Sequence, residues 1–143
     1  MIRLALPAAL LQEILRHLED AYPHEGVGAL LGSADGDRRR AVRHVPLANA
    51  VERDRRRRYE VGHADLVRVQ RDAREGGLEV LGYCHSHPDA EPVPSEHDRE
   101  AGWPWYVYLI VRVGNGRAAG VTAWQLRDDR STFDPVGLEV LES

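Results

Sequence analysis

The chain has 143 residues, 43% hydrophobic and 29% charged, with a formal net charge of −4. That length and balance suit one folded domain with its own core and exclude a disordered composition. The mild acidity gives no bulk electrostatic case for nucleic acid, and a single cysteine, Cys84, excludes a disulfide framework within the chain.

In chain order, the residues from Met1 run directly into a helical pattern. "PAALLQEILRHLEDAY" (7–22) places Leu10, Leu11, Ile14, Leu15 and Leu18 at helical spacing after a proline start. "HEGVGALLGS" (24–33) reads as a buried strand with Glu25 at its entrance, and residues 39–50 as its hairpin partner. "VERDRRRR" (51–58) reads as a loop, "RYEVG" (58–62) as a short strand, and 63–77 as a second helix stopped by Gly76 and Gly77. "LEVLGYCHSH" (78–87) is apolar on both faces and so reads as a central strand. A loop spaced by Pro88, Pro92 and Pro94 leads to a short helix from Ser95. "YVYLIVRV" (106–113) is another buried strand, Asn115-Gly116 signals a hairpin, 118–127 is its partner, and 136–142 is a last edge strand. The order is that of a mixed sheet with helices packed on it, an α/β fold. No signal-peptide pattern and no apolar run of membrane-spanning length are present, so the expectation is a cytoplasmic protein with no membrane partner.

The chemistry concentrates between residues 85 and 98. His85 and His87 stand two apart on a strand, so both imidazoles point to one face. Asp98 can add a carboxylate from the first turn of the next helix. Two histidines, a carboxylate and a water make a zinc site with one open position, the mark of catalytic zinc. Taken singly, each piece has a plainer reading. H-x-H at a strand end is more often a hydrogen-bonded pair, and S-x-x-D is close to a capping box, with Ser95 as N-cap. The two readings of Asp98 are compatible. Cys84 alternates away from the histidines and reads as a small buried apolar residue. His24, His63 and His97 read as rim or surface residues. Trp103, Trp105, Tyr106 and Tyr108 read as core and edge packing. The arginine run 55–58 reads first as a solvated loop, with recognition of an acidic surface as the alternative.

His85-Ser86-His87, seven residues, Ser95, two residues and Asp98 together resemble the motif of the JAMM (MPN-plus) metalloproteases. Glu25 in "HEGVGALLG" resembles the upstream glutamate of that family, and "GYCHSHP", "RYEV" and "AGWPWYVYLIV" are similar to its short prokaryotic branch. The resemblance runs from about His24 to about Val113. It implies a curved mixed β-sheet flanked by helices, a JAMM/MPN domain over residues 1–143 with a layout related to cytidine deaminases. It implies zinc (Zn2+) held by His85, His87 and Asp98, Glu25 as general base, and Ser95 as oxyanion donor. Only the resemblance brings Glu25 to the site, since it lies sixty residues before His85. It further implies hydrolysis of peptide or isopeptide bonds after the C-terminal Gly-Gly of ubiquitin-like proteins. With its short loops the chain looks more like bacterial members of the family, and that resemblance implies a ubiquitin-like sulfur-carrier protein as partner, with an amino acid such as cysteine released from its C-terminus. A noncatalytic MPN scaffold is the alternative, and its usual mark, an incomplete metal set, is missing here. The H-x-E and P-C-x-x-C signature of zinc deaminases and the H-E-x-x-H of zincins are absent.

Overall fold

A computed structural model describes residues 2–142. The elements run β1 (Arg3–Pro7), α1 (Ala8–Ala21), β2 (Val27–Asp35), β3 (Arg38–Leu47), α2 (His63–Glu75), β4 (Glu79–Pro88), α3 (Glu96–Ala101), β5 (Val107–Gly114), β6 (Arg117–Leu126) and β7 (Phe133–Leu141). The strands form a closed barrel in the order β1-β3-β2-β4-β5-β6-β7, with β7 returning to pair with β1. The pairs β1–β3, β1–β7 and β4–β5 are parallel and the others antiparallel. The expected mixed sheet flanked by helices is therefore present, curved until it closes.

Three expectations are corrected. Residues Arg3–Pro7 form a strand, with Leu4, Ala5 and Leu6 fully buried, where the helix was expected to begin almost at once. Four consecutive apolar residues carry no period, so a buried strand and a helix start look alike there. The last strand is not an edge, since β7 lies between β6 and β1. Residues 58–62 form no strand. The Asn49 side chain takes their backbone partners instead: its Oδ1 accepts from the Val51 and Glu60 N–H groups, and its Nδ2 donates to the Glu25 and Arg58 carbonyls.

Two apolar layers flank the central strands. Leu10, Ile14 and Leu18 of α1 bury against Leu4, Leu6, Leu30, Leu81, Cys84, Leu109 and Val111, and the helix packs against β1, β3, β4, β5, β6 and β7 together. On the opposite face Val69 and Ala73 of α2 meet Val27, Ala29, Leu31, Val80, Tyr83 and Tyr108. Strands sandwiched in this way read as unbroken apolar runs, which is why β2, β4 and β5 were legible. The β2–β4 register shifts between Leu30 and Leu31, leaving Leu81 as the extra residue of a bulge. Gly82 follows it, and a Cβ there would lie 1.8 Å from the Val107 carbonyl oxygen, so only glycine lets β5 approach β4 so closely. Asn115 and Gly116 both take positive φ, 55° and 86°, and close the β5–β6 hairpin as the sequence indicates.

Ile14 is fully buried, whereas Val67 of α2 is 54% exposed. Ile14→Ala should cost about 2–5 kcal/mol of unfolding free energy. Val67→Ala should stay within roughly 0.5 kcal/mol. Urea titrations of the two variants check this; equal midpoints would contradict the placement of α1 in the core.

Candidate metal centre

β4 carries His85 and His87 on the α2 side of the barrel wall. Cys84 lies on the α1 side, fully buried, as alternation requires. Burial pushes its thiol up to about 12, so it is no nucleophile. The loop after β4 returns the chain to the strand end, where Ser95 caps α3. The Asp98 N–H donates to Ser95 Oγ at 3.1 Å, and the Ser95 N–H donates to Asp98 Oδ2 at 2.9 Å. That is a complete capping box. The same Oδ2 lies 3.3 Å from His85 Nε2 and 3.1 Å from His87 Nε2, and the two imidazole nitrogens are 3.2 Å apart. Both readings of Asp98 thus hold at once, because one oxygen of its carboxylate serves cap and cluster.

Glu25 enters from the residue pair preceding β2. The Gly26 N–H donates to Ser86 Oγ at 2.8 Å, and the Ser86 N–H donates to the Gly26 carbonyl at 3.1 Å. These bonds extend the β2–β4 ladder past Val27 and His85 and fix the neighbouring Glu25. Donor atoms of Glu25, His85, His87 and Asp98 all lie within 4.8 Å of one another, and all four residues are buried. Among the described residues, Glu25 Oε1 is buried with no hydrogen-bond partner.

His87 Nδ1 lies 2.8 Å from the Glu91 carbonyl, so that nitrogen carries a proton and donates it. The lone pair of its Nε2 then faces the Asp98 carboxylate and the second imidazole. Electron-rich atoms at such separations repel unless a proton or a cation lies among them. Burial pushes the Glu25 carboxyl up to about 8, against the pull of His87. Burial lowers His85 despite Asp98. For His87 burial acts downward too, but the bonds to Asp98 and the Glu91 carbonyl outweigh it and raise the group. Burial opposes ionisation of Asp98, yet the His85 ring, both imidazole contacts and the Ser95 N–H hold it below the ordinary carboxylate range.

The distances suit a metal. Ligands 2.0–2.1 Å from a tetrahedral ion stand about 3.3 Å from each other, and the three observed separations are 3.1, 3.2 and 3.3 Å. Two neutral imidazoles and a carboxylate are a donor set for zinc. The unpartnered Glu25 oxygen stands beside the three donors, where a ligand water would find an acceptor.

Several contributors escaped the sequence reading. Tyr59 stacks on His85 with ring centroids 4.5 Å apart. His97, expected at the surface, is half-buried, with its Nε2 3.4 Å from the Tyr59 carbonyl. Ser86 positions Glu25, and Glu91 serves through its carbonyl. Ser86 and Tyr59 stand within the quoted motifs, but their contacts with Gly26 and His85 are non-local and no spacing announces them. His24 and His63 are exposed, as expected. Trp103 and Trp105 are 63% and 42% exposed, contrary to a packing role. They sit in the irregular segment between α3 and β5, with Trp105 at φ 81° and the Arg39 guanidinium 3.8 Å above its ring.

The fold is that of JAB1/MPN domains. A JAB1/MPN domain protein from Archaeoglobus fulgidus superposes with a TM-score of 0.63 over 99% of this chain and all of that one, at 22% identity. The chain belongs to the family described as prokaryotic homologs of the JAB domain, which matches residues 7–127. It is 38% identical to the desampylase of Haloferax volcanii over 113 residues, 76% of this chain and 79% of that protein. It is 33% identical to a probable TtuB-protein conjugate cleaving protease of Thermus thermophilus over 108 residues, 73% of this chain and 69% of that one.

Elemental analysis of the purified protein should find about one zinc per chain. Asp98→Ala should lose it, since the variant removes the atom shared by both imidazoles. Ser95→Ala should keep it while costing about 1 kcal/mol of stability through the lost cap. Retention of zinc by Asp98→Ala would remove that residue from the donor set.

Proposed function

We propose that residues 1–143 form a single zinc-dependent hydrolase domain. It cleaves the peptide or isopeptide bond that follows the C-terminal Gly-Gly of ubiquitin-like proteins, and among these a sulfur-carrier protein is the preferred substrate. The observation that carries the reading is the buried triangle of His85, His87 and Asp98 with the unpartnered Glu25 carboxylate beside it. The named relatives, a desampylase and a probable TtuB-protein conjugate cleaving protease, support the substrate class. The noncatalytic scaffold has no observation in its favour, because the donor set is complete. No helix of the described residues is long and apolar enough to cross a membrane; we place the protein in the cytoplasm.

His85, His87 and Asp98 would hold the ion through Nε2, Nε2 and Oδ2. Bound there, zinc supplies a water acidified to a pKa of about 7 and a Lewis acid for the carbonyl. Glu25 accepts the proton of the attacking water and passes it to the departing amine. Burial favours the protonated form of its carboxyl, which helps it hold the proton until the amine departs. Ser95 Oγ already accepts from the Asp98 N–H, so its own hydroxyl hydrogen is free to turn toward the oxyanion. Loss of one such donor typically costs about 10²–10³ in rate. The Nδ1–H bond from His87 to Glu91 keeps the Nε2 lone pair on the metal side.

Glu25→Gln is nearly isosteric and should retain zinc while lowering kcat by about 10²–10⁴ on a sulfur-carrier protein extended past Gly-Gly. Zinc content and turnover measured on one preparation check this. Full turnover by Glu25→Gln would end the base assignment.

A further inference from the structure

The chain between β4 and α3 has one atom to hold in place. The Nδ1–H of His87 donates to the Glu91 carbonyl at 2.8 Å, and this bond keeps the Nε2 lone pair on the metal side. That carbonyl lies in the middle of an irregular segment, residues 89–95, where Pro92 and Pro94 have no N–H to bond with. The segment is tied at both ends. At its start the Asp89 N–H donates to the Val113 carbonyl at 2.9 Å, and the Asp89 carboxylate accepts from the Tyr22 hydroxyl at 2.6 Å and the Asn115 N–H at 2.8 Å. At its end stands the Ser95 cap. Between them the Val93 N–H also donates to the Glu91 carbonyl, at 2.9 Å, which closes a tight turn centred on Pro92. This internal bond sets the shape of the turn but not its place.

The place is set from β6. The Thr122 hydroxyl donates to the Pro92 carbonyl, and Trp124 Nε1–H donates to Thr122 Oγ1 at 2.8 Å. The two ends of this chain fix its direction. An indole N–H can only donate and a proline carbonyl can only accept, so the hydroxyl hydrogen goes to Pro92. Pro92, Thr122 and Trp124 are all half-buried. Trp124 also lines a small cavity with Pro94 and Ser95, at the far end of the same segment. A second side-chain tie reaches the turn, from Arg112 Nη1 to Glu91 Oε1 at 3.2 Å, but it is exposed to solvent. Exposed pairs of that kind contribute little.

We propose, on the zinc reading above, that Thr122 is a positioning residue for the metal centre. Oriented by Trp124, its hydroxyl pins the Pro92 turn where the Glu91 carbonyl meets His87. Thr122 touches neither the cluster nor the bond that fixes the imidazole; it acts through the Pro92 carbonyl, and the turn passes the constraint to the carbonyl before it. Groups bonded directly to a metal ligand typically change metal affinity by about 10–100-fold when lost. A residue acting through such a group belongs at the low end of that range. Valine in place of Thr122 keeps the β-branched shape that suits a strand and removes the hydroxyl alone.

Competition against a chromophoric zinc chelator at fixed pH should show zinc held about 10-fold less tightly by Thr122→Val than by the native protein. Thr122→Ser keeps the hydroxyl and should recover most of that loss. Arg112→Gln breaks only the exposed pair and should stay within about 3-fold of native. In nitrogen-15 spectra the His87 Nδ1–H should exchange with water faster in Thr122→Val, while the backbone N–H groups of β4 keep their native protection. Native zinc affinity in Thr122→Val would overturn the proposal, as would a serine variant no better than valine. An equal loss in Arg112→Gln would overturn it too, since any disturbance of the segment would then suffice. If Thr122→Val does not fold, Trp124→Phe replaces it in the comparison, with weaker zinc binding supporting the relay and native binding overturning it. A native protein that takes up no zinc would end the metal reading, and this proposal with it.

Discussion

The structure is organised around a place where electron-rich atoms are forced together out of water. Two imidazole nitrogens and a carboxylate oxygen meet within 3.3 Å of one another, all on buried residues. Burying an ionised group costs several kcal/mol even after the surroundings relax. Against that cost, the Asp98 carboxylate meets the His85 and His87 imidazoles and the Ser95 N–H of the α3 cap. The cluster could hold a cation, and the neighbouring elements keep its donors in place. Tyr59 covers one ring, the Glu91 carbonyl orients the other, and α3 brings the carboxylate.

Strand pairing does the rest. The bulge at Leu81 sets the phase of β4, so that Val80, Tyr83, His85 and His87 share the α2 side while Leu81 and Cys84 face α1. A slip of one residue would bury the histidines against α1 and turn Cys84 toward the cluster. The parallel approach of β5 across Gly82 locks that phase from the other side. The site thus depends on packing several residues away from its ligands.

Much of this was legible because it is decided within a few residues. The histidine spacing on a strand, the serine-to-aspartate spacing at a helix start, and the Asn115-Gly116 turn each carry their geometry locally. The both-sided apolar runs of β2, β4 and β5 announced their burial. What escaped was non-local. Glu25 reaches the cluster through the Gly26–Ser86 pairing, sixty residues apart, and no periodicity encodes that register. β1 and the inner position of β7 exist only because the two strands find each other. Asn49 turned an expected strand into an irregular segment by taking its hydrogen bonds. Trp103 and Trp105 were misplaced because aromatic residues next to a buried strand look like core, whereas the chain there turns outward.

Barrel closure has an effect beyond stability. Among the described residues every strand has a neighbour on both sides over part of its length, so the stretches left open to an added strand are short, Ala41–Leu47 of β3 and Arg117–Thr122 of β6. The connections nearest the cluster, at 49–62, 89–95 and 102–106, are irregular. Recognition is thereby handed from the sheet to its connections, which can change in length and side chain while the frame beneath them stays the same.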